Sequence, residues 1–130
     1  MISRHRLRGR RRFAAVRAEG VRASSAGVRA QLSNNDLGVA RIGFALVEIR
    51  SAVSRNLLRR RLRATIRPWL DLLAGRDLVI VAGPDALHLP FGDLRSAVAR
   101  SVSRVLERAE SAAVGSTADN GAVTRSQQVD

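Results

Sequence analysis

The spacing of hydrophobic positions changes period several times along this chain, and each change marks an element. Phe13 and Val16, followed by Gly20, predict a short helix over 13–18 with a glycine stop. Val28-Arg29-Ala30-Gln31-Leu32 alternates with period two, which predicts a half-buried strand with Val28, Ala30 and Leu32 facing the core. Ser33-Asn34-Asn35-Asp36 is a cluster of turn residues. Residues 41–47 alternate again, with Ile42, Phe44 and Leu46 on one side and Gly43, Ala45 and Val47 on the other. From Ala52 the period becomes helical. At about 100° per residue, Leu58, Leu62, Ile66, Trp69 and Leu73 share one side of a helix predicted over 52–73. Pro68 is placed to kink that helix or end it early. Asp77-Leu78-Val79-Ile80-Val81-Ala82 is a nearly continuous apolar run, the pattern of a central strand buried on both faces, and Gly83-Pro84-Asp85 ends it. Residues 91–108 return to helical spacing, with Leu94, Val98, Val102, Val105 and Ala109 as the buried stripe. Residues 111–130 are rich in Ser, Ala, Gly, Asn and Gln and have no period, which predicts a disordered tail. Helix, two or three strands, helix, strand, helix is an α+β order, a single domain over 1–110 with helices packed on one sheet.

Charge changes the picture more than any other property. The chain carries a formal net charge of +12, and all 23 of its Lys+Arg residues are arginine. Residues 1–12 form a basic arm with Arg4, Arg6, Arg8, Arg10, Arg11 and Arg12. On the helix over 52–73, Asn56, Arg60, Arg63 and Arg67 fall opposite the apolar stripe, with Arg59 on the flank, and no acid occurs from Ser51 to Arg67. Ordinary solvated faces mix signs. A helix that buries one face and arms the other with planar guanidinium forks suits phosphate oxygens, hence RNA or DNA. Arg95, Arg100, Arg104 and Arg108 are left for solvent or RNA. Aromatics are only Phe13, Phe44, Phe91 and Trp69, so serial base stacking cannot supply much affinity.

Other chemistry is excluded or unsupported. The chain has no cysteine, which removes disulfides and thiolate metal sites. No apolar run approaches the ~20 residues that span a bilayer, and the basic N-terminus is not followed by an apolar segment, so the expected compartment is the cytoplasm. His5 lies in the basic arm, as an RNA or solvent contact, and His88 lies in a loop before Pro90. Asp71, Asp77, Asp85, Asp93 and Glu107 are spread among turns and helix ends, without the convergent pair that metal-assisted phosphodiester chemistry needs. No catalytic residue is assigned.

Val53-Ser54-Arg55-Asn56-Leu57-Leu58-Arg59-Arg60-Arg61-Leu62-Arg63 resembles the signature helix of the protein component of bacterial ribonuclease P. His5-Arg6-Leu7-Arg8 with Phe13, Val16 and Gly20 looks like that family's opening. Residues 42–46 look like the strand before its signature helix, 77–82 like the strand after it, and 94–106 like its last helix. The resemblance implies an αβββαβα single domain, a central mixed sheet with an unusual left-handed βαβ crossover, and helices packed on it. It also implies a division of labour. An RNA subunit, with Mg2+, removes the 5′ leader of precursor tRNA, and the protein alone is not catalytic and binds no metal by itself. Arg55, Asn56, Arg59, Arg60, Arg63 and Arg67 would bind the RNA subunit. Phe13, Arg17, Arg29 and Gln31 would line a leader-binding cleft between the first helix and the sheet. The protein would act as a monomer in a 1:1 complex.

The chain departs from the family pattern in places. Leu57 stands where the signature carries a third polar residue, an arginine. Residues 48–52 are one residue short and lack the usual lysine pair. Arg17 stands where a second aromatic is common, and Arg29 and Gln31 where an aliphatic and an aromatic residue are common. The expected cleft therefore grips phosphate more and stacks on bases less. A structural ribosomal or general RNA-binding protein fits the charge equally well but not the cleft pattern. A peripheral membrane binder would need apolar stripes that the core already uses.

Overall fold

The structure is a computed structural model that describes residues 5–120, with side chains described as far as Ala112. The elements in chain order are α1 (Arg10–Glu19), β1 (Val21–Ser25), β2 (Val28–Asn34), β3 (Arg41–Leu46), α2 (Ala52–Ile66), β4 (Arg76–Ala82), α3 (Pro84–Leu87) and α4 (Phe91–Asn120). A 3-10 turn, Arg67–Trp69, follows α2. The four strands form one mixed sheet in the order β1-β2-β4-β3. β1–β2 and β2–β4 are antiparallel, whereas β3–β4 is parallel, so β3, α2 and β4 make a crossover unit.

Both faces of the sheet are covered, and the period-two alternation of the strands decides which residue goes to which side. Val28, Ala30, Leu32, Ile42, Leu78 and Ile80 face the larger core. They meet Leu58, Leu62 and Ile66 of α2 and Leu94, Val98, Val102 and Val105 of α4, all at most 2 % exposed. The opposite face carries a smaller cluster, in which Leu7, Val16 and Val79 are buried and Phe13, Ala45 and Val81 pack against them. The apolar run of β4 thus serves both cores, as expected of a central strand. The alternation read over residues 41–47 holds: Phe44 and Leu46 pack on the larger core and Ala45 on the smaller.

Several boundaries differ from those expected. Arg10, Arg11 and Arg12 belong to α1 rather than to the arm, since the helix starts one residue after Gly9. Gly20 does end α1, with its N–H donating to the Val16 carbonyl at 2.9 Å. A Cβ there would sit 2.3 Å from the Leu32 carbonyl oxygen, so this crossing of chains requires glycine. β1 is a strand that the hydrophobic pattern does not define, because Val21-Arg22-Ala23-Ser24-Ser25 alternates too weakly. Ser33 and Asn34 extend β2 instead of turning. Pro68 ends α2 rather than kinking it, as it cannot donate an amide and sits at the start of the 3-10 turn. The last helix also runs past Arg108 to Asn120, into the segment expected to lack regular structure. Residues 121–130 of that segment lie outside the described residues.

Candidate nucleic-acid interface

α2 owes its position to its N-terminal end and to its buried face. Glu48 adopts φ 59, in the left-handed region, and turns the chain out of β3. Ser51 then caps the helix, its Oγ accepting from the Ser54 N–H at 3.2 Å. Burial of Leu58, Leu62 and Ile66 fixes the rotation of the helix about its axis. As a result Asn56, Arg60 and Arg67 are exposed, and Arg55, Arg59 and Arg63 are half-buried on the flanks. Arg61 is different. It turns back into the protein and donates to the carbonyls of Leu87 and Leu89, tying α2 to α3 and the loop after it. Arg61 is not among the residues expected to bind RNA, and the fold uses it as a tether.

One basic residue joins this face that the sequence pattern does not place there. Arg6 bridges to Ile42 in parallel, and the Leu7 N–H donates to the Ile42 carbonyl at 2.8 Å. This short annexe to β3 sets Arg6 in a groove with Asn56, Arg59, Arg60 and Arg63. No local signal marks Arg6 among its neighbouring arginines, because the contact spans most of the N-terminal half of the chain. His5, expected to meet RNA or solvent, places its Nδ1 2.8 Å from the Ala40 carbonyl oxygen and helps hold the same annexe.

The four residues assigned to the leader cleft are not gathered in one groove. Phe13 lies over Gly43 so closely that a Cβ on Gly43 would sit 2.4 Å from its Cζ. Phe13 therefore clamps α1 to the sheet, and its ring also lines grooves on both sides of that contact. One groove holds Arg6, Arg59 and Arg63, and the other holds Arg10 and Arg17. Arg17 is exposed, and its carbonyl accepts from Arg22 Nη2 at 2.8 Å. Gln31 is only 3 % exposed, because α1 covers that part of the sheet, so it is a floor residue rather than a projecting contact. Arg29 is exposed but opens on a separate depression beside Val81, Glu48 and Asp85. The two acids there make that end less purely basic than expected.

The four arginines of α4 are exposed, as expected, and three of them also make contacts that the sequence does not announce. Arg100 Nε donates to Ser25 Oγ at 3.0 Å, Arg104 Nη1 to the Ser24 carbonyl at 2.9 Å, and Arg108 Nη1 to the Arg22 carbonyl. All three are committed to β1. Among the described residues no three His, Asp or Glu side chains lie where they could share a metal ion. No described helix is long and apolar enough to cross a membrane.

The sequence model of the ribonuclease P family matches residues 1–108. The ribonuclease P protein component of Bartonella quintana is 43% identical over 84 residues, covering 62% of this chain and 59% of that protein. The ribonuclease P protein component of Symbiobacterium thermophilum is 32% identical over 108 residues, covering 81% of this chain and 90% of that protein. The fold agrees with that of the Staphylococcus aureus RNase P protein at a TM-score of 0.66 and 19% identity, covering 81% of this chain and 94% of the other. For the Thermotoga maritima RNase P protein the TM-score is 0.65 at 24% identity, with 73% and 94% covered. A match along nearly the whole described chain, on a fold shared with RNase P proteins, has one reading: the chain belongs to the ribonuclease P protein family.

Proposed function

We propose that the open face of α2, joined by Arg6, docks on the RNA subunit of ribonuclease P, and that the surface around α1 receives the 5′ leader of precursor tRNA. Family membership makes the chain the protein subunit of that endoribonuclease, with RNA binding and maturation of the tRNA 5′ end as its activity. It sets aside the ribosomal-protein alternative. The observation that carries the assignment of α2 is its acid-free arginine face, directed to solvent by a fully buried opposite face. Guanidinium forks along that face match successive phosphates.

In this reading the protein positions RNA and neutralises its charge. The described carboxylates are too scattered to make a metal cage of their own, so the magnesium that supplies the hydrolytic chemistry is assigned to the RNA subunit. Arg55, Asn56, Arg59, Arg60, Arg63 and Arg67 contact that subunit. Phe13 and Arg17 on α1, with Arg29 further along the sheet, flank the leader, while Gln31 supports the floor between them. The complex is one protein to one RNA, in the cytoplasm.

The test is binding of the ribonuclease P RNA as a function of salt. Changing Arg60 and Arg63 together to alanine should lower the slope of log affinity against log salt by about two units, one for each phosphate that is no longer neutralised. Circular dichroism should stay native, because neither side chain is in the core. An unchanged slope on a native fold counts against this face. The protein without RNA should not cleave precursor tRNA at any magnesium concentration, and robust cleavage would overturn the division of labour.

A further inference from the structure

The arginine face of α2 is interrupted by two aliphatic side chains that no core position explains. Val53 is 79% exposed and Leu57 40%. Measured from Val53 at about 100° per residue, Leu57 lies roughly 40° to one side and Arg60 roughly 20° to the other. The pair therefore occupies the crest of the helix, the part farthest from the sheet, with Arg60 beside it. Val53 also lines the groove that holds Arg6, Asn56, Arg59 and Arg63. Elsewhere α2 places its aliphatic residues in the core with care: Leu58, Leu62 and Ile66 are at most 1% exposed.

We propose that Val53 and Leu57 form an apolar seam that packs on the non-phosphate surface of the RNA subunit, on ribose C–H groups and base edges, beside the phosphates held by the row of arginines along one side of it. The inference rests on α2 being the RNA-binding face and adds a second kind of contact to it. Charge selects the occupant. At about 100° per residue Arg60, Arg67, Arg63 and Arg59 fall in that order to one side of the seam, and no acid lies between Ser51 and Arg67. A second copy of this chain docking through the same seam would set those cations against one another. An RNA brings the opposite charge, and in double-stranded regions its shallow minor groove displays ribose and base edges that side chains can reach. With no tyrosine in the chain and a single tryptophan that packs on the core, apolar contact from this helix falls to its aliphatic side chains.

Phosphate contacts and apolar contacts respond differently to salt. The former release counterions, so removing them flattens the salt dependence of binding, whereas the latter release none. The experiment uses the full-length chain and a transcript of the ribonuclease P RNA, with affinity measured over a range of salt. The variants are Val53→Ala/Leu57→Ala and, for reference, Arg60→Ala/Arg63→Ala. Alanine is the best helix former, so truncation at exposed positions leaves α2 intact, which circular dichroism verifies. The apolar variant should bind about tenfold more weakly at every salt concentration, the size expected from leaving one buried aliphatic contact unmade, with the slope unchanged. Unchanged affinity in the apolar variant, while the arginine variant is weakened, overturns the seam and leaves the arginine face standing. A flattened slope in the apolar variant overturns it too, since the truncation would then act by displacing arginines. If neither variant is weakened, the assignment of α2 itself fails. A wild-type chain that sediments as a dimer, with the apolar variant a monomer, would make the seam a contact between copies and reject RNA as its occupant.

Discussion

Asp77 has a role that its sequence neighbourhood conceals. It is buried at the start of β4 and accepts from Arg41 Nε at 2.9 Å, from Arg41 Nη2 at 2.7 Å and from Asn35 Nδ2 at 2.8 Å. Asn35 in turn accepts from the Leu37 N–H, so one carboxylate organises the loop between β2 and β3 and the start of β3. The hydrogen bond that Arg41 donates to Asp77, chiefly, raises the pKa of Arg41 above its ordinary value. A cation whose folded pKa is raised stabilises the fold fully below its ordinary value and loses that contribution only as pH climbs past the folded one. The brace on the arginine side is therefore complete at neutral pH. Asp77→Ala leaves a mostly buried guanidinium unpaired and should cost about 3 kcal/mol in urea unfolding. Asp77 would still not be required for cleavage beyond its effect on folding. Gly43 offers a second test at this scale. A Cβ there has to displace the Phe13 ring, so Gly43→Ala should shift α1 and weaken leader-bearing substrate while leaving the salt slope for the RNA subunit unchanged. Equal loss for both ligands would show that α1 and α2 form one site.

At the level of elements, α4 does more than close the core. β1 is an edge strand, and an open edge invites pairing with another chain. Successive outward carbonyls on a strand are about 6.8 Å apart, and side chains four residues apart on a helix about 6 Å. Arg104 and Arg108 exploit that near match to hold the Ser24 and Arg22 carbonyls. Changing both to alanine should lower the melting temperature by a few degrees, the equivalent of about 1 kcal/mol for exposed charge-assisted hydrogen bonds. It should also produce concentration-dependent association in sedimentation experiments, with RNA binding and its salt slope unaltered. A slope reduced by about two units would instead mark these arginines as RNA contacts.

Across the whole molecule, the candidate surfaces on α1 and α2 meet at Phe13, and leader and RNA subunit can be addressed together from one side of β3. Arg17 and Arg29 lie beyond that meeting point in different grooves. A leader that runs along α1 and across the sheet touches both. Arg17→Ala and Arg29→Ala combined should then weaken binding of precursor tRNA by roughly 1–3 kcal/mol, on the scale of charge-assisted hydrogen bonds, and barely affect mature tRNA. Equal weakening of the two substrates, or none, would remove the leader from this path. Testing each arginine alone separates the grooves: an effect from Arg17 only confines the leader to α1.

The stripes Leu58-Leu62-Ile66 and Leu94-Val98-Val102-Val105 and the alternation in β2 and β3 were legible because a helix or strand with one buried face must repeat with its own period. The signature arginines were legible for the same reason, as the remainder once the stripe is assigned. β1 was poorly legible, since an edge strand covered by side chains from a distant helix needs little alternation of its own. What arginine does also depended on tertiary structure. Arg60, Arg61, Arg104 and Arg6 look alike in sequence, yet one is open, two are tied to carbonyls and one is carried to α2 by a bridge to β3. Likewise Gln31 and Arg29 share one side of β2, and only the placement of α1 buries one and exposes the other. The sequence by itself determined the core-facing residues, the cationic face and the family. Tertiary structure decided which cations remain free, because a guanidinium takes whatever carbonyl or carboxylate the packed chain brings within reach, and only packing says which.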